Sequence, residues 1–394
     1  MNQNSLSLYQ FLPIEIVRAK NFYLFDSNGK KYLNFSGSSA LVSPDHSNKV
    51  IIDALKDEAE ELWDCPELFL FKTQQKYGKK LLKLSFADSA FFYNSDIEAF
   101  EMAVQMILQY QLDKNNPNLQ TKKNKIITFS GSYCANDPSR NNFITLIPND
   151  IQQLNGAIND EIAGILLEPI QIEDGIHGFD HDFIRHIRKV CTENDIILCF
   201  DETVTGFGRT GSLFYYQQVG IIPDIMILSK IMADGLPISA CLTNSDIANA
   251  TTKSIRKHVF GGNSLAMAVA SSVINEVLKP GLFDKVLGSG KYLAERIAIL
   301  KEKYPKIIKS VRSYGLVIGI EVENSAQVLI NKIIGYGLIV TNTQKDKVIK
   351  LLPPLHIQKT HIEEAYNILD QVFANEMNRD KGSNKDYISG KYRI

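Results

Sequence analysis

Three apolar runs in the middle of the chain each stop at residues that can do chemistry. Residues 196–200 lead into Asp201 and Glu202, 225–228 into Ser229 and Lys230, and 164–167 into Glu168 and Pro169. Short apolar runs between helical stretches read as buried parallel strands, and ligands of open parallel sheets bind beyond the carboxyl ends of the strands. An acid and an amine brought to one sheet edge are costly if merely buried. Two readings are open. One is a structural ion pair. The other is a pyridoxal phosphate site, in which Asp201 keeps a pyridinium nitrogen protonated and Lys230 forms an imine with the aldehyde. Only a neutral amine forms an imine, and desolvation favours the neutral form.

These strand ends must be held by alternating elements. Residues 90–93, 125–129, 164–167, 196–200 and 225–228 are apolar runs. Residues 98–110 carry Ala99, Ala103, Met106, Ile107 and Tyr110 on one stripe, and 181–193 carry Phe183, Ile184, Ile187, Val190 and Cys191. Strands alternating with helices predict an α/β fold, a mainly parallel sheet flanked by helices. Before it, 22–26 and 31–35 form a hairpin around Asn28-Gly29, and helical spacing follows at 49–62 and 77–84. After a helix at 265–278 come an amphipathic stretch at 292–303, strands at 315–322, 338–340 and 349–352, and a last helix at 361–373. The expected organisation is a small α+β domain from residues 1–45 and 280–375, a large α/β domain over 46–279, and a polar, mobile tail at 376–394.

The balance of charge narrows the partners. Among 394 residues, 43 Lys+Arg oppose 44 Asp+Glu, for a net charge of −1. That gives no electrostatic case for nucleic acid or an anionic membrane. No apolar run reaches the ~18 residues of a membrane span. Residues 1–10 lack a charged-then-apolar signal pattern, so a cytoplasmic location is expected. Cys65, Cys134, Cys191, Cys199 and Cys241 form no CxxC pair, and His177 with His181 reads as loop chemistry, so no metal site is expected.

The wording around the acid and the amine resembles the class III aminotransferases, which are fold-type I pyridoxal phosphate enzymes. The carriers are Asp201-Glu-Thr-Val-Thr-Gly-Phe-Gly-Arg-Thr-Gly211, then Pro223-Asp-Ile-Met-Ile-Leu-Ser-Lys230, then Gly235-Leu-Pro237. Asn94-Ser95 with Glu98, Glu168-Pro-Ile-Gln171 with Glu173, Phe260-Gly-Gly-Asn263 and Leu351-Leu-Pro-Pro-Leu355 extend it over about residues 15–375. Ser85-Phe-Ala-Asp88 and Gly262-Asn-Ser-Leu-Ala-Met-Ala-Val269 read most like the acetylornithine branch, with a weaker echo of the diaminopelargonate branch in Met102-Ala-Val-Gln-Met106. The resemblance implies that Asp201 binds the ring nitrogen, that Lys230 is both the imine-forming lysine and the proton carrier, and that Tyr133 stacks on the ring. It implies that Glu173 is a gate glutamate paired with Lys350. It further implies a homodimer with a shared active site, and ping-pong transfer of a terminal amino group from an amino donor, N2-acetylornithine in that branch, to 2-oxoglutarate.

The departures from the family pattern cluster at anion recognition. Ser95, Asp96 and Ile97 stand where the family cradles the cofactor phosphate on a helix N-terminus, with Asp96 in place of a glycine. A carboxylate close to a phosphate dianion repels it by roughly 3–4 kcal/mol per charge pair at an effective dielectric of about 20. Aspartate is also a good helix N-cap, so Asp96 either fills the place meant for phosphate or turns away and leaves the N–H groups free. Val259 replaces a threonine that would reach the phosphate from the partner subunit, and Val204 replaces a glutamine on the ring hydroxyl. Asn136 stands in the place of a carboxylate-gripping arginine, with Arg140 four residues on. Alternatives therefore stay open beside the acetylornithine reading: another ω-aminotransferase such as an ornithine or diaminopelargonate enzyme, an aminomutase, or a diverged member with weak or no cofactor binding that serves as an interaction protein.

Overall fold

A computed structural model describes residues 12–37, 46–65, 69, 71–114, 123–132, 135, 141–251, 261–343 and 345–381. Its centre is a seven-stranded sheet. In spatial order the strands are Ser89–Tyr93, Ser239–Thr243, Ile225–Leu228, Ile197–Asp201, Ile162–Leu167, Lys125–Phe129 and Phe143–Leu146. Six run parallel and Ser239–Thr243 alone runs against its neighbours. The sequence predicts a mainly parallel α/β sheet, and that is the architecture found.

The all-apolar strands are the central ones, as burial on both faces requires. Ile162–Leu167 and Ile225–Leu228 are buried at every position. On one face lies the Asp96–Lys114 helix, which presses Ala99, Phe100, Ala103, Met106 and Ile107 onto the sheet. The contact is close because Gly164 has no side chain: a Cβ there would lie 2.7 Å from Ile107 Cγ2. The other face carries the His181–Glu193 helix, whose Phe183, Ile184, Ile187, Val190 and Cys191 are all buried.

Among the described residues two four-stranded sheets and a two-stranded one, Ile170–Gln171 with His177–Gly178, stand beside the central sheet. The hairpin Tyr23–Asp26 and Lys31–Asn34 turns at Asn28-Gly29, as predicted. Gly29 takes the left-handed conformation there (φ 80°), and the Asp26 carboxylate accepts the N–H groups of Asn28 and Lys30. Leu338–Ile339 then pairs in parallel with Lys31–Asn34, joining residues from the two ends of the chain. The other four-stranded sheet is antiparallel: Ile308–Tyr314, Val317–Val322, Val348–Leu351 and Thr341–Asn342. The single strand expected at 315–322 is thus half of a hairpin.

Two expectations need correction. The last helix does not give way to a tail at 376: it runs Lys359–Lys381. Lys332 pairs with Glu376 and Met377 packs against the core, so this polar stretch is anchored through the next helix. Residues 382–394 lie outside the described residues. Strands at Ile16–Lys20, Phe143–Leu146 and Ser239–Thr243 were not expected. Ile16–Lys20 is mostly exposed, Phe143–Leu146 spans only four residues, and Ser239–Thr243 is largely small side chains, so none gives an alternation to read. Among the described residues no helix is long and apolar enough to cross a membrane.

Candidate active site

The parallel strands deliver their carboxyl ends to one edge, and Asp201 and Lys230 arrive there on neighbouring strands. Asp201 is the last residue of its strand and pairs in register with Ile227, three residues before Lys230. After Leu228 the chain passes through an extended Ser229, whose Oγ donates to the Ile238 carbonyl, into a short 3-10 turn, Lys230–Ala233. Lys230 itself has φ 52°. A non-glycine residue in the left-handed region stores about 1–3 kcal/mol and persists only where its surroundings over-determine it. Here Ile231, Met232 and Ala233 are buried beneath it and fix the turn.

Both groups line one cavity of about 320 Å³, within the range of small-molecule sites. Asp201 opens onto it from deep in the protein, and its Oδ1 accepts the Thr203 N–H at 3.0 Å. Burial pushes the Asp201 carboxyl above the usual carboxylate range. The Asp96 charge adds to that, while the Thr203 hydrogen bonds and Lys230 oppose it. Among the described residues Lys230 is not ion-paired to Asp201. Its Nζ lies 3.8 Å from Asp96 Oδ2.

Asp96 settles the question its sequence position left open. It opens the Asp96–Lys114 helix, and its Oδ1 accepts the N–H of Ile97 at 3.0 Å. Ser95 and Glu98 complete a reciprocal cap: Ser95 Oγ accepts the Glu98 N–H, and Glu98 Oε2 accepts the N–H groups of Asn94 and Ser95. Asp96 therefore fills the helix terminus rather than turning away. Ile97 lines the cavity with it, whereas Ser95 is not among the lining residues, its polar groups being engaged in the cap.

Glu173 stands on the cavity wall in a turn and accepts from Lys350 of the Val348–Leu351 strand, Nζ to Oε1 at 2.6 Å. The pairing implied by the resemblance is thus formed. Val204 also lines the cavity. Tyr133, Asn136 and Val259 lie outside the described residues, as do Arg140, Lys257 and His258. Sequence reasoning missed Thr203 and Phe100. The Asp-x-Thr step is a signal for the turn that orients Asp201, and Phe100 lies one helical turn beyond Asp96 on the same face.

Glu202, next to Asp201, faces away from this chemistry. It is fully buried, accepts the backbone N–H groups of Tyr215 and Tyr216, and is pushed up to about 7 by burial. A larger groove of about 760 Å³ runs past Lys279, Tyr292 and Lys359 and contains none of the predicted site residues.

The donor set fits pyridoxal phosphate at its ring end: a deep carboxylate for a cationic nitrogen and an amine on the same wall. At the phosphate end a helix N-terminus is present, but it carries Asp96.

A family model described as aminotransferase class-III matches residues 7–137 and 134–373. The acetylornithine aminotransferase of Agrobacterium fabrum is 35% identical over 379 residues, covering 92% of this chain and 93% of the relative. That of Methanocaldococcus jannaschii is 35% identical over 384 residues, covering 93% and 95%. The crystal structure of N-acetylornithine aminotransferase from Stenotrophomonas maltophilia superposes with a TM-score of 0.85 at 27% identity, over 95% of this chain and 99% of that one.

Proposed function

The chain belongs to the class-III aminotransferases, a family of pyridoxal phosphate-dependent transaminases, and from that premise we propose that it moves the terminal amino group of N2-acetylornithine to 2-oxoglutarate. The observation that carries the reading is the meeting of Asp201 and Lys230 on the wall of one cavity at the carboxyl edge of the sheet. The names of the matched relatives support the donor. They do not favour the aminomutase or non-catalytic alternatives.

The cofactor, when bound, supplies the electron sink that makes the carbon bearing the amino group acidic. Asp201 holds a proton on the ring nitrogen by its charge, and the Thr203 N–H fixes the direction of its carboxylate. Lys230 would hold the cofactor through its neutral amine, and its Nζ would be the base that carries the proton taken from the donor carbon. Phe100, Ile170 and Ile172 form apolar wall that excludes water. Lys350 receives a carboxylate of the keto acid, and Glu173 covers that cation when the donor is bound. A homodimer is the proposed working form; a tryptophan as exposed as Trp63, at 67%, suits a subunit contact.

The test is a panel of amino donors assayed with 2-oxoglutarate, on wild type and Lys230→Ala. N2-acetylornithine should give the highest kcat/KM, and Lys230→Ala should lose both turnover and the visible absorbance of the loaded protein. A preference for ornithine or a diamine would overturn the donor. Full turnover by Lys230→Ala would overturn the mechanism.

A further inference from the structure

Of the titratable side chains that line the cavity among the described residues, four are carboxylates, Asp96, Glu168, Glu173 and Asp201, and one is an amine, Lys230. Beside that amine, the N-terminus of the 19-residue Asp96–Lys114 helix offers an anion a seat. Acceptors of this chain already occupy it. Ile97 N–H goes to Asp96, Glu98 N–H to Ser95, and the N–H groups of Asn94 and Ser95 to Glu98. The other Asp96 oxygen faces the amine at 3.8 Å. One side chain thus sits on both positive features that a phosphate ester entering beside Lys230 would use.

We propose that Asp96 is a resident anion that sets the cofactor selectivity of this site, competing with the phosphate group and so reducing the preference for phosphorylated over unphosphorylated pyridoxyl compounds. The proposal rests on the pyridoxal phosphate reading of the cavity. The competition has two parts. A phosphate must displace the Asp96 carboxylate from the Ile97 N–H, and it must then share the cavity with that charge. An unphosphorylated ring pays neither cost, because its contacts are at the Asp201 end. Replacing Asp96 by a neutral residue should therefore help the phosphorylated compound alone.

The experiment measures equilibrium binding of pyridoxamine 5′-phosphate and of pyridoxamine, neither of which has an aldehyde to react with Lys230. Calorimetry on cofactor-stripped full-length protein gives both affinities for wild type, Asp96→Asn and Asp96→Ser. Circular dichroism confirms that each variant is folded; the Ser95–Glu98 cap is left in both, and the serine form is the second variant should the amide disturb the helix. The expected result is an affinity for pyridoxamine 5′-phosphate raised by about tenfold or more, with pyridoxamine changed by less than about twofold. An equal gain for both compounds would overturn the proposal, because Asp96 would then act on the ring or on Lys230 alone. No gain, or a loss, for the phosphorylated compound in both variants would overturn it too. Failure of wild type and variants to bind either compound would instead overturn the cofactor reading itself, and this proposal with it.

Discussion

Lys350 and Glu173 meet at 2.6 Å although the lysine lies in a strand and the glutamate in a turn 177 residues earlier in the chain. The lysine side chain is 10% exposed and the glutamate 40%, so the cation is sheltered and the carboxylate is the part that can move. Lys350→Ala should raise the KM for 2-oxoglutarate by about 10–100-fold and the KM for the amino donor far less, since a charged hydrogen bond to a carboxylate is worth roughly 1.5–3 kcal/mol. Lys350→Arg should hold or lower the keto-acid KM, because a guanidinium grips a carboxylate with two N–H groups. Equal rises in both KM values would rule out a selective role.

Asp201→Asn keeps an acceptor for the Thr203 N–H but removes the charge. We expect kcat to fall by about 10²–10³-fold, the usual loss when a preorganised charge is taken from a reacting centre. Stability without cofactor should hold or rise, because burial already disfavours the ionised Asp201. A variant that melts well below wild type would show that the carboxylate is needed for folding.

Glu202 gives the pH prediction. Its folded value is raised from 4.5 to about 7, so between those values the native state binds the extra proton and stability falls as pH rises. The decline is on the order of 3 kcal/mol for this one group. Urea unfolding of Glu202→Gln at about pH 5 and about pH 8 should show a flatter profile than wild type. A constant offset between the two proteins across that range would refute it.

Gly164→Ala places a Cβ 2.7 Å from Ile107 Cγ2 and 3.1 Å from the Ile197 carbonyl oxygen. Overpacking of this kind costs about 1–3 kcal/mol. The helix that opens at Asp96 must move, so pyridoxamine 5′-phosphate binding should weaken along with the melting temperature. Ile107→Ala in the same chain makes room, and the double variant should be less destabilised than the sum of the singles. Strict additivity would show that the two positions do not press on each other.

The chemistry was easier to read than the scaffold around it. Apolar strands that break off at Asp201 and Lys230 are conspicuous because buried charge is expensive, and the Asp96–Lys114 helix shows in its apolar stripe. Its start was read two residues late, because Asp96 and Ile97 stand before the stripe begins. The antiparallel direction of Ser239–Thr243 leaves no trace in composition: Ser, Ala, Cys, Leu and Thr pair equally well either way. The Glu173–Lys350 contact has no local signal, being made by folding alone, and only the family resemblance pointed to it. The helix beyond Glu376 was missed because its anchor, Lys332, belongs to another element.

The pairing of Leu338–Ile339 with Lys31–Asn34 has a consequence for synthesis. A nascent chain must leave that early strand with one bare edge until Leu338 and Ile339 have been made. Ribosome-stalled chains ending before Leu338 should be cut by protease at the N-terminal hairpin, and chains that extend well past Ile339 should resist. The delay exposes an unpaired strand edge to neighbouring polypeptides until that partner emerges, so this hairpin is a place where a chaperone would be needed.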